Sequence, residues 1–125
     1  MRALSLAASS DRDLVGHALD DLRPFSPADP IAAELVKRVL DVFAPDWLQT
    51  DAEDLADIEL PRGCFALPVY RDGRSPESPP ARLLFEGTKS GSGRTADWDE
   101  ARALASRTEL ILAGGLDTAN VADAI

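Results

Sequence analysis

The sequence has little of several residue types, and each shortage narrows what the protein can be. A single cysteine in 125 residues excludes an internal disulfide bond and is typical of a reducing compartment. The single histidine, His17, gives no basis for a histidine-ligated metal site. No apolar run approaches the roughly 20 residues that span a bilayer, and the N-terminal apolar segment is too short for a secretory signal. We therefore expect a cytoplasmic protein that binds neither a metal nor a membrane.

Positive charge is also scarce. The chain has 13 Lys and Arg against 22 Asp and Glu, which gives a formal net charge of −9. Such a charge repels nucleic acids, and the basic residues form no stripe, so we expect no nucleic-acid partner. A small anion is still possible, because backbone N–H groups bind phosphate locally on an acidic protein. Neither a Walker loop nor a dinucleotide fingerprint occurs, and we expect no cofactor.

What is present is an alternation of strand-like and helix-like segments over residues 1–125, which we interpret as a single domain. Strands are predicted at Ala3–Leu6, Asp46–Gln49, Cys64–Tyr70, Arg82–Glu86 and Glu109–Ala113. Alternation of this kind implies right-handed crossovers and a largely parallel sheet. Five strands are fewer than the eight of a closed (β/α)₈ barrel. The expected fold class is therefore α/β, as a shortened or incomplete barrel with a mainly parallel sheet.

Helices are predicted between these strands. The first is capped by Ser9 or Ser10 and has an apolar face made of Leu14, Val15, Ala18, Leu19 and Leu22. The second begins at Asp29-Pro30 and has an apolar stripe made of Ile31, Leu35, Val39, Leu40 and Phe43. A short acidic helical turn is expected within residues 50–58, a helix from Asp97 to Ser106, and a last helix capped by Asp117 or Thr118.

Two glycine-containing loops are the candidate binding segments. Gly114 and Gly115 lie between a strand and a helix, where backbone N–H groups without a neighbouring Cβ can hold a phosphate. The alternative is a tight strand-to-helix turn without a ligand. In the second loop, Lys89 and Arg94 flank Gly91-Ser92-Gly93, and these cations either meet a substrate anion or serve solubility.

The stretches RLLFEGTKSGSGRTADWDEA and LILAGGLDTANVADAI resemble the C-terminal half of phosphoribosylanthranilate isomerase, a (β/α)₈-barrel enzyme of tryptophan biosynthesis. The resemblance depends on Glu86, Gly91-Ser92-Gly93, Thr95-Ala96-Asp97-Trp98, Ala113-Gly114-Gly115-Leu116, Asn120-Val121 and Ala124-Ile125. APDWLQ also looks like the family's fourth strand. Together these stretches cover about half of the chain.

The resemblance implies an Amadori rearrangement of a phosphoribosylamine, an aldose–ketose isomerisation of a phosphorylated small molecule. The reaction needs a general acid for the ring oxygen and a base for a carbon-bound proton. Glu86 has the place of the family's general acid, an aspartate at the end of the sixth strand. Gly114 and Gly115 have the place of part of the phosphate cradle. Gly91 and Gly93, with Lys89 and Arg94 of the same loop, are the further candidates for substrate binding.

Other family positions differ here. The family's base, a cysteine in a Lys-x-Cys-Gly motif, has no counterpart in RALSL, and Cys64 is expected to be a small buried apolar residue. Thr50-Asp51 replaces a His-Gly pair, and no eighth strand precedes Ile125. Two alternatives therefore stay open: a non-catalytic barrel remnant that self-associates, for example as a homodimer, and another phosphosugar-binding barrel enzyme.

Overall fold

A computed structural model of the protein describes residues 3–5, 30–89 and 92–124. The chain divides into two compact units, Met1–Ala66 and Leu67–Ile125, which we describe separately. The predicted first helix, with Leu14 to Leu22 and His17, lies outside the described residues. That residues 1–125 form a single domain stays a prediction.

The first unit contains a parallel β-α-β connection. Strand β1 (Ala3–Ser5) pairs in parallel with β2 (Trp47–Asp51), and helix α1 (Pro30–Phe43) lies between them along the chain. Proline suits the first position of a helix because its missing N–H would have no partner there. At the other end, Ala44 has a left-handed φ of 45°, and its N–H donates to the Leu40 carbonyl at 2.9 Å. This arrangement ends the helix before a proline, as the sequence predicts.

The core of the first unit differs from the predicted stripe. Among the described residues, its buried apolar cluster consists of Val36, Leu40 and Leu48, of which Leu40 belongs to the predicted stripe. Ile31 is 82% exposed and Leu35 58% exposed, and Val39 and Phe43 are exposed as well. The apolar residues of α1 cover more than one packing face, and in the described part of the unit the helix contributes Val36 and Leu40 to the core. Cys64 packs against this cluster, but it is half-buried and not fully buried as predicted; burial raises the pKa of its thiol.

The second unit is built on three parallel strands. They are β3 (Phe65–Arg71), β4 (Arg82–Glu86) and β5 (Glu109–Leu112). The first two residues of β3 belong to the first unit. Strand β4 pairs with both of the others. Pro68 lies inside β3 but before Val69, where the pairing with β4 begins, so its missing N–H does not interrupt that ladder.

Helix α2 (Trp98–Ala105) completes the second unit. Asp97 caps it, because its Oδ1 accepts from the backbone N–H groups of Asp99 at 3.0 Å and Glu100 at 3.1 Å. The core consists of strand, loop and helix residues: Leu83, Phe85, Ala96, Ala101 and Leu104. The helix and the predicted Asp97 start are thus confirmed.

Two short 3₁₀ helices complete the described structure. Asp54–Asp57 follows β2 and matches the predicted acidic turn. Val121–Ala124 occupies the place of the predicted last helix, and among the described residues it is one 3₁₀ turn. Parallel strands with intervening helices confirm the predicted α/β class and are consistent with part of a (β/α)₈-type barrel. No helix in the described residues is long and apolar enough to cross a membrane.

Candidate functional site

The predicted site residues come together in the second unit, around a cavity of about 300 Å³ between the loops that follow β4 and β5. The residues that line it are Glu86, Gly87, Lys89, Ser92, Gly93, Arg94, Gly114 and Gly115. They include every predicted site residue except Gly91, which lies outside the described residues. The carboxyl ends of adjacent parallel strands lie at the same edge of a sheet, which explains why two distant loops meet there.

Glu86 is the last residue of β4 and forms an ion pair that the sequence did not reveal. Its register partner is Arg71, the last residue of β3. The Arg71 Nη2 atom lies 2.9 Å from Glu86 Oε1, with the two side chains 26% and 14% exposed. The pair is therefore largely shielded from water, where charge pairing is stronger than at the surface. Predicting it requires the register of β3 against β4, which sequence periodicity does not supply.

Gly115 is needed where it lies for a steric reason. Its φ is 63°, and a Cβ built on it would lie 2.5 Å from both Arg94 C and Thr95 N. These are backbone atoms, so no side-chain rotation relieves the overlap. The loop after β4 thus packs directly on the glycine turn after β5. Gly114 has a φ of 90°, and its added Cβ would lie 3.4 Å from the Arg94 carbonyl oxygen, a milder contact.

Asn120 secures the same glycine turn from the C-terminal side. Its Nδ2 donates to the Gly115 carbonyl at 2.8 Å, and its Oδ1 accepts from the Asp117 N–H at 2.9 Å. The Asp117 carboxylate in turn accepts from the N–H groups of Ala119 at 2.8 Å and Asn120 at 3.0 Å. Asp117 therefore caps the turn that precedes the last 3₁₀ helix, in agreement with its predicted role.

The proline-rich loop between β3 and β4 is tied to the start of α2. Asp72 Oδ1 accepts from the Asp97 N–H at 2.9 Å. Glu100 accepts from the Gly73 N–H at 2.9 Å and from the Ser75 hydroxyl. These bonds hold the beginning of α2, and with it the end of the loop that contains Arg94, in a fixed position.

The cavity combines groups suited to an anionic ligand with one carboxyl group. Lys89 and Arg94 supply positive charge, and Gly93, Gly114 and Gly115 expose backbone without a Cβ. Glu86 supplies a group able to exchange a proton. Among the described residues, no group of three His, Cys, Asp or Glu side chains is placed to hold a metal ion.

The first unit contains a larger cavity of about 570 Å³, but none of the predicted site residues line it. It lies between α1 and residues 57–61. The acidic turn nearby has like charges close together. Burial raises the pKa of Asp54, and Asp51 and Glu53 raise it further by repulsion. An acidic cluster of this kind favours a solvated surface over an anion site.

Comparison with known proteins relates the second unit to one enzyme family. Residues 74–125 match the family model of N-(5'phosphoribosyl)anthranilate (PRA) isomerase. All residues that line the 300 Å³ cavity lie within this range. The resemblance to this family is therefore confirmed for the C-terminal part of the chain. No solved structure matches the chain significantly.

Several curated relatives have the same name, N-(5'-phosphoribosyl)anthranilate isomerase. The protein of Roseiflexus sp. (strain RS-1) is 49% identical over 59 residues, which are 44% of this chain and 28% of the relative. That of Halobacterium salinarum (strain ATCC 29341 / DSM 671 / R1) is 56% identical over 41 residues, 31% of this chain and 19% of the relative. That of Streptococcus pneumoniae (strain ATCC 700669 / Spain 23F-1) is 29% identical over 130 residues, 94% of this chain and 65% of the relative. The chain thus spans less than a third of the first two relatives.

Proposed function

We propose that this chain, whose C-terminal part is similar to PRA isomerases, provides the phosphate-binding and proton-donating groups of that activity. The reaction would be the Amadori rearrangement of N-(5'-phosphoribosyl)anthranilate in tryptophan biosynthesis, in the cytoplasm. One observation carries the proposal: the Glu86 carboxyl and the Gly114-Gly115 turn line the same cavity, within the residues that match the family.

We assign the substrate phosphate to the glycine turn and the cations beside it. Consecutive left-handed glycines present backbone N–H groups that no Cβ screens, which suits a phosphate oxygen. Arg94 and Lys89 add positive charge from the facing loop. Because the net charge of the chain is −9, this local arrangement has to overcome a repulsive overall field.

We assign proton donation to Glu86. A proton passes from its carboxyl group to the ribose ring oxygen, the bond from that oxygen to C1 breaks, and an iminium ion forms between C1 and the anthranilate nitrogen, which keeps its own hydrogen. A base then takes the proton on C2 to give an enolamine, which tautomerises to the ketose. The Arg71 guanidinium, 2.9 Å from Glu86 Oε1, pairs with the carboxylate that the first step leaves, and Glu86 takes up a proton again before the next turnover. The proposal covers this acid and the phosphate site, and it assigns no base.

Phosphate binding can be tested directly on the eight glycines of the chain. In protein labelled with ¹⁵N-glycine, titration with ribose 5-phosphate should shift the amide signals of Gly93, Gly114 and Gly115 to saturation. Ribose should not do so, and Gly63 and Gly73 should stay unchanged. The absence of saturable shifts on both cavity loops would refute the proposed site.

A matched pair of variants tests the assigned cations. Arg94→Met should weaken ribose 5-phosphate binding about tenfold, the loss expected for one charge-assisted contact. Arg102→Met removes the same charge from an exposed α2 position that pairs with Asp99, and it should leave the affinity unchanged. Equal losses in both variants would mean that only net charge matters.

Turnover is tested separately from binding. The full chain should restore growth without tryptophan to a strain that lacks the isomerase, and purified protein should convert N-(5'-phosphoribosyl)anthranilate to the ketose. Glu86→Gln should lower the rate by about 10²–10⁴-fold, the usual contribution of a general acid. Conversion that survives this substitution undiminished would exclude Glu86 as the acid.

One observation favours a second candidate, a non-catalytic remnant that self-associates as a homodimer. Helix α1 exposes large apolar side chains, with Ile31 82% and Val42 87% exposed. Exposed apolar surface of this kind promotes association. Light scattering that shows a dimer, together with no turnover, would support this candidate. Ribose 5-phosphate binding without conversion of the anthranilate substrate would instead support another phosphosugar enzyme.

A further inference from the structure

We infer that Asn120 is a positioning residue for the phosphate: its side chain fixes the Gly114-Gly115 turn in the conformation that binds the anion. This inference rests on the proposed phosphate site. Asn120 does not line the cavity, so it would act through the glycines and not by contact with the ligand.

The glycine turn needs such a support because its own sequence does not restrict it. Glycine adopts positive and negative φ about equally readily, so two consecutive glycines have many accessible conformations. In the structure they have φ values of 90° and 63°. The Arg94–Thr95 peptide limits Gly115 on one side. On the other side, Asn120 Nδ2 binds the Gly115 carbonyl at 2.8 Å.

One amide side chain thereby fixes two backbone groups. Asn120 Oδ1 accepts from the Asp117 N–H at 2.9 Å while Nδ2 holds the Gly115 carbonyl. The peptide bond after Gly115 is planar and trans, so its N–H points away from its carbonyl. Fixing that carbonyl oxygen therefore also fixes the direction of the Leu116 N–H, on the side away from Asn120.

The two bonds require the particular chemistry of asparagine. A carboxamide has a donor and an acceptor on one planar group, whereas a carboxylate has acceptors only. In Asn120→Asp the bond to the Asp117 N–H can persist, but the Gly115 carbonyl would face an acceptor. Asn120→Ala loses both bonds. The pair of variants therefore separates support of the helical turn from support of the glycine conformation.

The test is ribose 5-phosphate affinity, measured by ¹⁵N-glycine titration under conditions where urea unfolding shows each variant to be folded. Asn120→Ala and Asn120→Asp should both weaken binding, by about tenfold for the loss of the bond to Gly115. Thr118→Ala, at an exposed position of the same turn, should bind as the unaltered chain does. In the free protein the Gly114 and Gly115 signals should move in both Asn120 variants, and that of Gly63 should not.

The outcomes distinguish this inference from the proposed function. If the unaltered chain binds no ribose 5-phosphate, the proposed site itself fails. If it binds and both folded variants bind equally well, the site stands and the role of Asn120 is refuted. If neither variant folds, Asn120 supports the fold and not the site, which also overturns the inference.

Discussion

The two units use the same position, the carboxyl end of a parallel strand, in opposite ways. Asp51 ends β2 in the first unit, and Glu86 ends β4 in the second. The chain after β2 enters a turn with further carboxylates, where burial raises the pKa of Asp54 and repulsion by Asp51 and Glu53 raises it further. Glu86 instead pairs with Arg71, and the loop that follows it brings cations to the cavity. Of these two strand-end carboxylates, the one that lines the candidate site is the one with positively charged neighbours.

The units also differ in how their loops are packed. Gly115 lies directly against the backbone of a second loop, and a Cβ there would overlap with it. Gly63, in the first unit, has a similar left-handed conformation at φ 87°, but a Cβ there would have no neighbour within 4 Å. One glycine meets a packing requirement and the other only a conformational one. Substitutions at equivalent residue types in the two units therefore test the comparison directly.

The largest difference in stability is expected between alanine substitutions at two phenylalanines. Phe85 is completely buried in the second unit, whereas Phe65 in the first unit is 59% exposed and contacts Trp47 at a ring-centroid distance of 5.2 Å. Phe85→Ala should lower the free energy of unfolding by about 3–5 kcal/mol through lost burial and a cavity. Phe65→Ala should cost only about 1 kcal/mol, the worth of an aromatic pair. Urea denaturation measures both, and comparable losses would contradict the assigned core.

The next largest difference in stability is expected between alanine substitutions at Gly63 and at Gly115. Ala in place of Gly63 has to adopt a left-handed conformation, which costs about 1–2 kcal/mol. Ala in place of Gly115 has that cost and also the overlap with Arg94 and Thr95, so the loss of stability should be larger. The Gly115→Ala variant should also lose the phosphate response, because the loop above it must move. Unfolding by urea and titration with ribose 5-phosphate measure the two effects. If Gly63→Ala lost as much stability as Gly115→Ala, backbone strain alone would explain both losses and the overlap at Gly115 would add nothing.

Much of this fold could be predicted from the sequence because local signals were strong. The Asp97 cap, the Arg82–Glu86 strand and the break at Ala44-Pro45 each depend on a few adjacent residues. The face of α1 could not be predicted in the same way. Its apolar residues cover more than one side, and periodicity does not say which of them meets a strand.

The site shows the same division between local and non-local information. The glycine turn and its facing loop were recognisable from short stretches, and the structure places their described residues around one cavity. Arg71 was missed, because its pairing with Glu86 depends on the register of two strands. The hydrogen bond from the Asn120 side chain to the Gly115 carbonyl was missed as well. It links residues five apart, but only the turn geometry brings its side chain to the Gly115 carbonyl.

The smallest predicted effects on stability come from replacing a carboxylate by an amide, and they have opposite signs in the two units. Burial and neighbouring carboxylates raise the pKa of Asp54 above its ordinary 3.8, so the folded chain binds this proton more tightly than the unfolded chain. Stability therefore falls as the pH rises from 3.8 through the raised pKa, and at pH 7 the ionised Asp54 opposes folding. Asp54→Asn should raise the free energy of unfolding at pH 7 by less than about 1 kcal/mol and have no such effect below pH 3.8.

Glu86→Gln provides the matched carboxylate-to-amide change in the second unit. It removes the ion pair at 2.9 Å and leaves the partly shielded Arg71 without that counter-charge, so it should lower stability at pH 7. Asp57→Asn, at an exposed position of the acidic turn, is the control and should have a smaller effect than Asp54→Asn. Urea denaturation at pH 7 and below pH 3.8 measures all three variants. If Asp54→Asn and Glu86→Gln changed stability in the same direction at pH 7, the two strand ends would not differ electrostatically as the structure indicates.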